Sequence, residues 1–356
     1  MRKLASIQRI LDIQPIEKAD RIETVSVLGW KVVVPKGQFK VNDYCVYFEI
    51  DSLLPDEQRY KFLQKSSWNK RYSKVRLKTI QLRGQISQGL VLPLKEFPDI
   101  NFSIMDEGDD LTEILKIEKY EPVVPAQMGG NARRFTWPIA KTGEERVQSN
   151  PATYLTLMHK TPYQVTLKLD GTSATFLLMK ANSGEMEYHV CSRNCSLTES
   201  DNVYWQMGRK YNIEEKLRES YEENGTLLAF QGEIVGPGIQ ANRMNLSEVD
   251  LYIFNVVDVA SQQKLPIFYD AQEIPAKTTE ERYFGIPTVP LIKEGEEFPY
   301  TTVDSLLELS EGKYKEHFPN AMPDQEREGI VIRSKDHKIS FKVTNNRFLL
   351  RGGDEV

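Results

Sequence analysis

Cysteine and histidine are scarce in this 356-residue chain: three cysteines (Cys45, Cys191, Cys195) and four widely scattered histidines (His159, His189, His317, His337). Three cysteines cannot build a disulfide framework, and such a sparse set gives no zinc-ligand spacing. Cys191 and Cys195 are expected as packing residues. No run approaches the ~18 apolar residues of a membrane span. Charges run through Met1 to Arg21, where a signal peptide would be apolar, so no membrane partner and a cytoplasmic location are expected. The 21 glycines and 18 prolines are dispersed, and 40% apolar with 27% charged residues is ordinary for a globular chain, which excludes collagen-like, disordered and coiled-coil classes. The length allows two or three domains.

The net charge of −5 hides an asymmetry. Residues 1–120 carry 20 Lys+Arg against 17 Asp+Glu, while residues 121–356 carry 26 against 34. Gln58 to Lys95 holds ten basic residues, among them Lys70, Arg71, Lys74 and Arg76, and no acid. Tyr60, Phe62, Trp68 and Tyr72 are interleaved with them. Basic side chains neutralise phosphates and aromatic faces stack on bases, so this composition suits RNA, though a merely solvated basic face has equal claim on charge alone.

Glu121-Pro-Val-Val-Pro-Ala-Gln-Met-Gly-Gly-Asn131 interrupts every periodicity and marks a domain junction. The expected division is 1–120, a linker over 121–138, and 139–356. Upstream, short alternating runs at Trp30–Val34, Tyr44–Ile50, Val75–Leu82 and Leu90–Leu94 predict strands of a small OB-like β-barrel, with one helix over Ile104–Ile117 capped by Asp109 and Asp110. Downstream, helices at Pro151–His159 and Asn212–Glu223 alternate irregularly with strands at Gln164–Lys168, Thr226–Val235, Leu251–Val259, Ile330–Arg333 and Ile339–Val343. The fold class expected is α+β with antiparallel sheets.

In Gln164-Val-Thr-Leu-Lys-Leu-Asp-Gly171, strand alternation turns Val165, Leu167 and Leu169 to one side and Thr166, Lys168 and Asp170 to the other. Lys168 is thereby held on a rigid element beside a carboxylate. A lone Lys-x-Asp-Gly says little, and Lys168, Arg193, Glu233 and Glu328 taken singly read as ordinary surface residues. Their order carries more. Cys191-Ser-Arg-Asn194, Phe230-Gln-Gly-Glu-Ile-Val235, Tyr252-Ile-Phe-Asn-Val-Val-Asp258, Glu328-Gly-Ile-Val-Ile-Arg333 and Ile339-Ser-Phe-Lys-Val343 follow it in sequence. Together they resemble motifs I, Ia, III, IIIa, IV and V of the covalent nucleotidyltransferases, which include DNA ligases, RNA ligases and mRNA capping enzymes.

Chemistry adds conditions. A free lysine is protonated at neutral pH and cannot attack phosphorus, so Lys168 needs cations such as Lys342 and a hydrated metal ion nearby to lower its pKa. A turn centred on Asp336 would put Glu328, Ile330, Ser340, Lys342 and Thr344 on one face, and a one-residue change of register would undo this.

DNA ligases and capping enzymes usually carry an OB domain after motif V, but only 13 residues follow Val343. Here the OB-like text comes first: Pro15-Ile-Glu-Lys-Ala-Asp-Arg-Ile22, Gly29-Trp-Lys-Val-Val-Val34, Tyr47-Phe-Glu-Ile-Asp51 and Arg83-Gly-Gln-Ile-Ser-Gln-Gly89. With Gly143-Glu-Glu-Arg-Val-Gln148 and Asn345-Asn-Arg-Phe-Leu-Leu350, the whole chain resembles the Deinococcus/Naegleria-type RNA ligases. The resemblance implies ATP-dependent sealing of 3′-OH/5′-phosphate RNA ends, at nicks in duplex RNA or an RNA–DNA hybrid, with Mg²⁺ or Mn²⁺ and without an obligate protein partner. It implies Lys168 as nucleophile, with Asp170 and Lys342 completing the catalytic set. Arg193, Phe254, Leu167 and Arg146 would join Lys168, Lys342, Glu233 and Glu328 in the nucleotide site. Glu233 and Glu328 would hold metal, and Asn194 would join Lys70, Arg71, Lys74 and Arg76 on RNA. Ser340 and Thr344 stand where motif V often has a second lysine. A capping-type guanylyltransferase and an RNA-binding protein with an inactive nucleotidyl pocket are the competing readings.

Overall fold

The computed structural model describes residues 2–121, 132–134, 139–265 and 282–352. These group into two units, one within Met1–Pro122 and Val147–Pro151, the other within Val123–Arg146 and Ala152–Val356. Of the expected linker, 121–138, only Glu121 and the strand Ala132–Arg134 lie among the described residues.

The first unit is built of short antiparallel strands whose alternation is visible in their burial. In Trp30–Pro35, Trp30, Val32 and Val34 are buried while Lys31 and Pro35 are exposed. Tyr44–Phe48 pairs with both Ala5–Arg9 and Leu90–Pro93, and Ile22–Val27 lies between Asp12–Pro15 and Trp30–Pro35. Ile7, Val46, Phe48, Tyr60, Leu92 and Phe97 share the core. The run expected as one strand, Val75–Leu82, divides into Lys74–Arg76 and Thr79–Leu82, which belong to different sheets.

The helix expected over Ile104–Ile117 does not form. Its capping carboxylate closes a local turn instead: Asp110 accepts from both the backbone N–H and the hydroxyl of Thr112. That hydroxyl in turn accepts from the Leu4 and Ala5 amides, and the Leu111 amide donates to the Ala5 carbonyl. Leu111, Leu115 and Ile117 are buried as a non-helical cover for the core, so tertiary contacts override an apolar spacing that fits a helix.

The second unit is α+β with two large antiparallel sheets and a two-stranded one, Arg282–Tyr283 with Ile286–Pro287. Four strands run in the order Leu291–Gly295, Tyr163–Lys168, Gly329–Ser334, Ser340–Thr344. Seven run Ala132–Arg134, Cys195–Leu197, Met186–Ser192, Thr172–Lys180, Leu228–Val235, Asp250–Asp258, Lys264–Leu265. Leu167 and Leu169 pack in one core with Phe176, Phe230, Ile234 and Ile253. Helix Pro151–Met158 begins at the expected proline, and Ile213–Asn224 ends at Gly225 in the left-handed region. Helices Val203–Lys210 and Val303–Ser310, each capped by the side chain before it (Asn202, Thr302), were not predicted. Among the described residues, no helix is long and apolar enough to cross a membrane.

Candidate active site

Lys168-Leu-Asp-Gly171 lies where the chain leaves the four-stranded sheet and enters the seven-stranded one, between Tyr163–Lys168 and Thr172–Lys180. Only glycine fits at the crossing. A Cβ on Gly171 would lie 2.4 Å from the Ile234 carbonyl oxygen and 2.8 Å from the Glu233 Cγ. This close approach sets Glu233 of the second sheet beside Lys168 of the first. On the lysine's strand the expected alternation holds: Leu167 is in the core, and Thr166 accepts 2.9 Å from Arg333 Nη1 on the opposite, polar face. Leu167 therefore offers a nucleotide no side-chain contact.

The terminal hairpin departs from the expected register by one residue. Val331 pairs with Lys342 and Arg333 with Ser340, so Ile330 lies on the other face with Val343. The turn responsible carries His337 at φ +58°. Lys342 shares a face with Thr166 and Val331, which pair across the sheet, and hence with Lys168 two residues along. Glu328 still reaches Lys168, because Gly329 at φ +149° breaks the strand's alternation just after it. A Cβ at Gly329 would stand 2.2 Å from the Val343 carbonyl oxygen.

The Lys168 ammonium lies 2.8 Å from Glu328 Oε1. Burial opposes its charge, but Glu328 and Glu233 outweigh burial and hold its pKa above that of a free lysine. The expectation that neighbouring cations lower it is thus reversed in this state. The lowered lysine is Lys342, pushed to about 7 by burial and then by Arg146 and Lys168. Arg146 forms a parallel bridge to Lys342, whose amide donates 2.8 Å to the Glu145 carbonyl, so the cation set beside Lys342 comes from Gly143-Glu-Glu-Arg146 and not from motif V. Ser340, where a lysine is common, donates 2.6 Å to Glu144, which also faces Arg333 and Lys264.

Three carboxyls crowd Lys168. Burial raises Glu233 to about 8, with Glu328 and Asp170 adding to it against the pull of Lys168. Burial and Glu328 raise Asp170 to about 7, although Arg243 is ion-paired with it. Arg243 carries no motif and was missed by sequence reasoning. So was Tyr314, fully buried, whose hydroxyl meets the backbone of Lys168, Asp170 and Glu328. Burial and these two carboxyls hold its pKa well above a free phenol's, so it stays protonated.

Phe254 is the extra residue of a β-bulge. Gly232 pairs with Ile253 and Gln231 with Asn255, leaving Phe254 unpaired and half-buried at the core's edge. Bulges re-aim side chains beside sites, which suits a residue expected to stack on a base. Arg193 and Asn194 are exposed, and Lys141 donates to Asn194 at 3.4 Å.

In the first unit the candidate RNA residues separate. Arg76 is 3% exposed, paired with Asp51 and stacked on Tyr120 with its guanidinium carbon 3.5 Å from the ring centroid, so it does not reach the surface. Lys74 is bound to Glu118 at 2.6 Å. Both serve the barrel's own packing, which a count of charges in sequence does not show. Lys70 and Arg71 are exposed at the tip of the hairpin joining Trp68–Asn69 to Lys74–Arg76, where Asn69 accepts from the Arg71 amide. Beside them is an open cavity of about 510 Å³ lined by Gln64, Lys65, Ser66, Trp68 and Lys70.

The strand of Lys168, followed in order by these carboxylates and cations, matches a known family. The RNA ligase family model covers residues 161–347, and an OB-fold domain model covers residues 4–94. The chain belongs to the RNA ligase family. Solved structures of the Naegleria gruberi RNA ligase resemble it throughout. The form with PPi is 34% identical at a TM-score of 0.84, covering 100% of both chains. A mutant of that enzyme with AMP and Mn is 34% identical at 0.84, over 99% of this chain and 100% of that one. Another, with ATP and Mn, is 35% identical at 0.84 with the same coverage. A comparison with curated proteins finds no match. The ligase's N-terminal unit is accordingly an OB domain, and its second unit carries every ordered motif.

Proposed function

We propose that the ligase joins a 3′-hydroxyl to a 5′-phosphate with ATP, sealing nicks in duplex RNA or RNA–DNA hybrids through AMP carried on Lys168. The observation behind this is the convergence on one lysine of Glu328 at 2.8 Å, Glu233 across Gly171, and the cation Lys342, which itself lies against Arg146. The relatives with ATP, AMP and PPi support the nucleotide and its leaving group.

The residues fit a hydrated divalent ion, Mg²⁺ or Mn²⁺. Among the described residues no three His, Cys, Asp or Glu side chains form a ligand cluster, so Glu233 and Glu328 would supply carboxylate oxygens and leave other positions to water and phosphate, as hard ions accept. Burial and the neighbouring Glu328 and Asp170 push Glu233 up to about 8, and a cation held there would relieve that crowding. The ion supplies charge against the phosphate oxygens when bound. With Glu328 and Glu233 so engaged, the groups raising the Lys168 pKa are neutralised, and burial favours the free amine.

Three steps follow. The Lys168 Nζ lone pair attacks the α-phosphorus, the bond to the β-phosphate breaks, and pyrophosphate leaves. A 5′-phosphate oxygen of the RNA next displaces Lys168 from that phosphorus. Last, the 3′-hydroxyl attacks the activated 5′-phosphorus, loses its proton, and expels AMP. Lys342 and Arg146 would stabilise charge on the α-phosphate in the first two steps, Arg193 and Asp170 would orient ribose and lysine, and Phe254 would stack on adenine. Lys65, Lys70 and Arg71 with Trp68 would hold RNA phosphates and a base on the OB domain, and Asn194 would touch RNA near the reacting end.

Incubation with α-labelled ATP or GTP tests the reading. An acid-stable phosphoramidate from ATP, lost in Lys168→Met, is expected. Labelling by GTP alone would indicate a capping enzyme, and no label would indicate a binding protein. Sealing rates on single-stranded, nicked duplex and hybrid ends would then rank the substrates.

A further inference from the structure

We propose that the Tyr314 hydroxyl is a positioning residue that locks the nucleophile's strand to the metal-binding carboxylate's strand; this rests on the adenylation reading above. Tyr314 opens the short 3₁₀ turn Tyr314–Glu316 and belongs to none of the ordered motifs. Its side chain is 0% exposed. The hydroxyl donates to the Lys168 carbonyl oxygen at 3.2 Å, and accepts from the Asp170 amide at 3.0 Å and the Glu328 amide at 3.2 Å. A phenolic hydroxyl has one proton to give and two lone pairs, and all three are used on backbone atoms of the three residues that matter most.

The geometry explains why a side chain is needed there. Lys168 is the last residue of its strand and pairs with Gly329, so the ladder stops where the reacting groups begin. Beyond it, the Asp170 and Glu328 amides have diverged from sheet geometry, and a buried N–H must find another partner. One oxygen serves both amides and the lysine's carbonyl, fixing the separation of Lys168 from Glu328 without touching either reactive side chain. Phe318, two residues beyond this turn, packs edge-on against the ring at 6.3 Å between centroids.

Tyr314→Phe keeps the ring and removes only the oxygen. Because an error of about 1 Å in a reacting geometry costs on the order of 10² in rate, single-turnover adenylation at saturating ATP should fall about 10–100-fold. The concentration of ATP giving half the maximal rate should stay within about twofold, since the buried hydroxyl spends its bonds on three backbone groups. Sealing of RNA already carrying a 5′-adenylate should fall less than adenylation, as Lys168 is not the attacking atom in that step. Phe318→Leu is the control for packing: it should lower the melting temperature while adenylating at close to the native rate. Native adenylation by Tyr314→Phe, an equal loss in both steps, or an equal adenylation defect in Phe318→Leu would overturn the positioning role. Failure of the unmutated protein to take label from ATP would instead overturn the ligase chemistry on which the role depends.

Discussion

Charge means different things in the two units. In the OB domain a run of ten basic residues without an acid looks in sequence like one continuous surface for RNA. Folding withdraws several of these cations into the domain's own architecture: Arg76 to Asp51, Lys74 to Glu118, Arg59 to Glu57. In the catalytic unit the overall balance is acidic, and Lys168, Glu233, Glu328 and Lys342 look ordinary one by one. Folding brings them together and shifts the titration of Lys168, Glu233 and Lys342. Local density of charge is thus a poor guide to available charge, because partners come from elsewhere in the chain. The order of residues around strands is a better one, because strand geometry decides which side chains can meet.

The largest effect expected beyond loss of the nucleophile is at Lys342. If it stabilises charge on the α-phosphate, Lys342→Ala should slow both adenylation and AMP transfer by about 10²–10³, as loss of one preorganised contact does. Single-turnover rates unchanged in either step would make it peripheral and weaken the contrast between the units.

Within the OB domain the contrast can be sharpened by pairing two variants. Arg76→Ala removes one partner of a largely buried ion pair and should cost about 3 kcal/mol of stability in denaturant unfolding, with the salt dependence of RNA binding unchanged. Charge reversal of Lys65 and Lys70 should leave stability close to native, weaken RNA binding, and reduce its slope against log salt by about 2. The opposite pattern would mean that Arg76 binds RNA after all.

The smallest effect expected is a proton count. Lys342, held near pH 7, is mostly uncharged at pH 8, and a phosphate against it favours the charged form. Binding of an ATP analogue with a non-cleavable α,β bridge at pH 8 should therefore take up as much as about one proton, seen as a calorimetric enthalpy that varies with buffer and absent in Lys342→Ala. The same depressed pKa has a sign for stability. Between about 7 and the free-lysine value near 10.4, the unfolded chain binds the proton that the folded one has lost. This group's contribution to stability therefore rises with pH across that window.

How much could be read beforehand follows from the same distinction. The strands bearing Lys168, Glu233 and Lys342 were legible because alternation over five or more residues allows few other structures, and Gly171 marks a crossing that only glycine allows. The non-helical Ile104–Ile117 was not, since Asp109 and Asp110 can cap a helix in isolation, whereas in context Asp110 binds Thr112, whose hydroxyl takes the Leu4 and Ala5 amides. The hairpin register failed by one residue because turn geometry at His337 sets it, and either register keeps an apolar face. Arg243 and Tyr314 were invisible for a plainer reason. Their partners are Asp170 in one case and the backbone of Lys168, Asp170 and Glu328 in the other, and no periodicity encodes such meetings.

The central claim is that Lys168 carries AMP and delivers it to RNA. Its most direct test is to isolate the enzyme labelled from α-labelled ATP, remove free nucleotide, and add a nicked RNA duplex with a 5′-phosphate. The label should leave the protein, appear as RNA-adenylate, and then as free AMP in equal amount to the sealed strand. Label that stays on the protein, or sealed strands formed without its loss, would contradict the account.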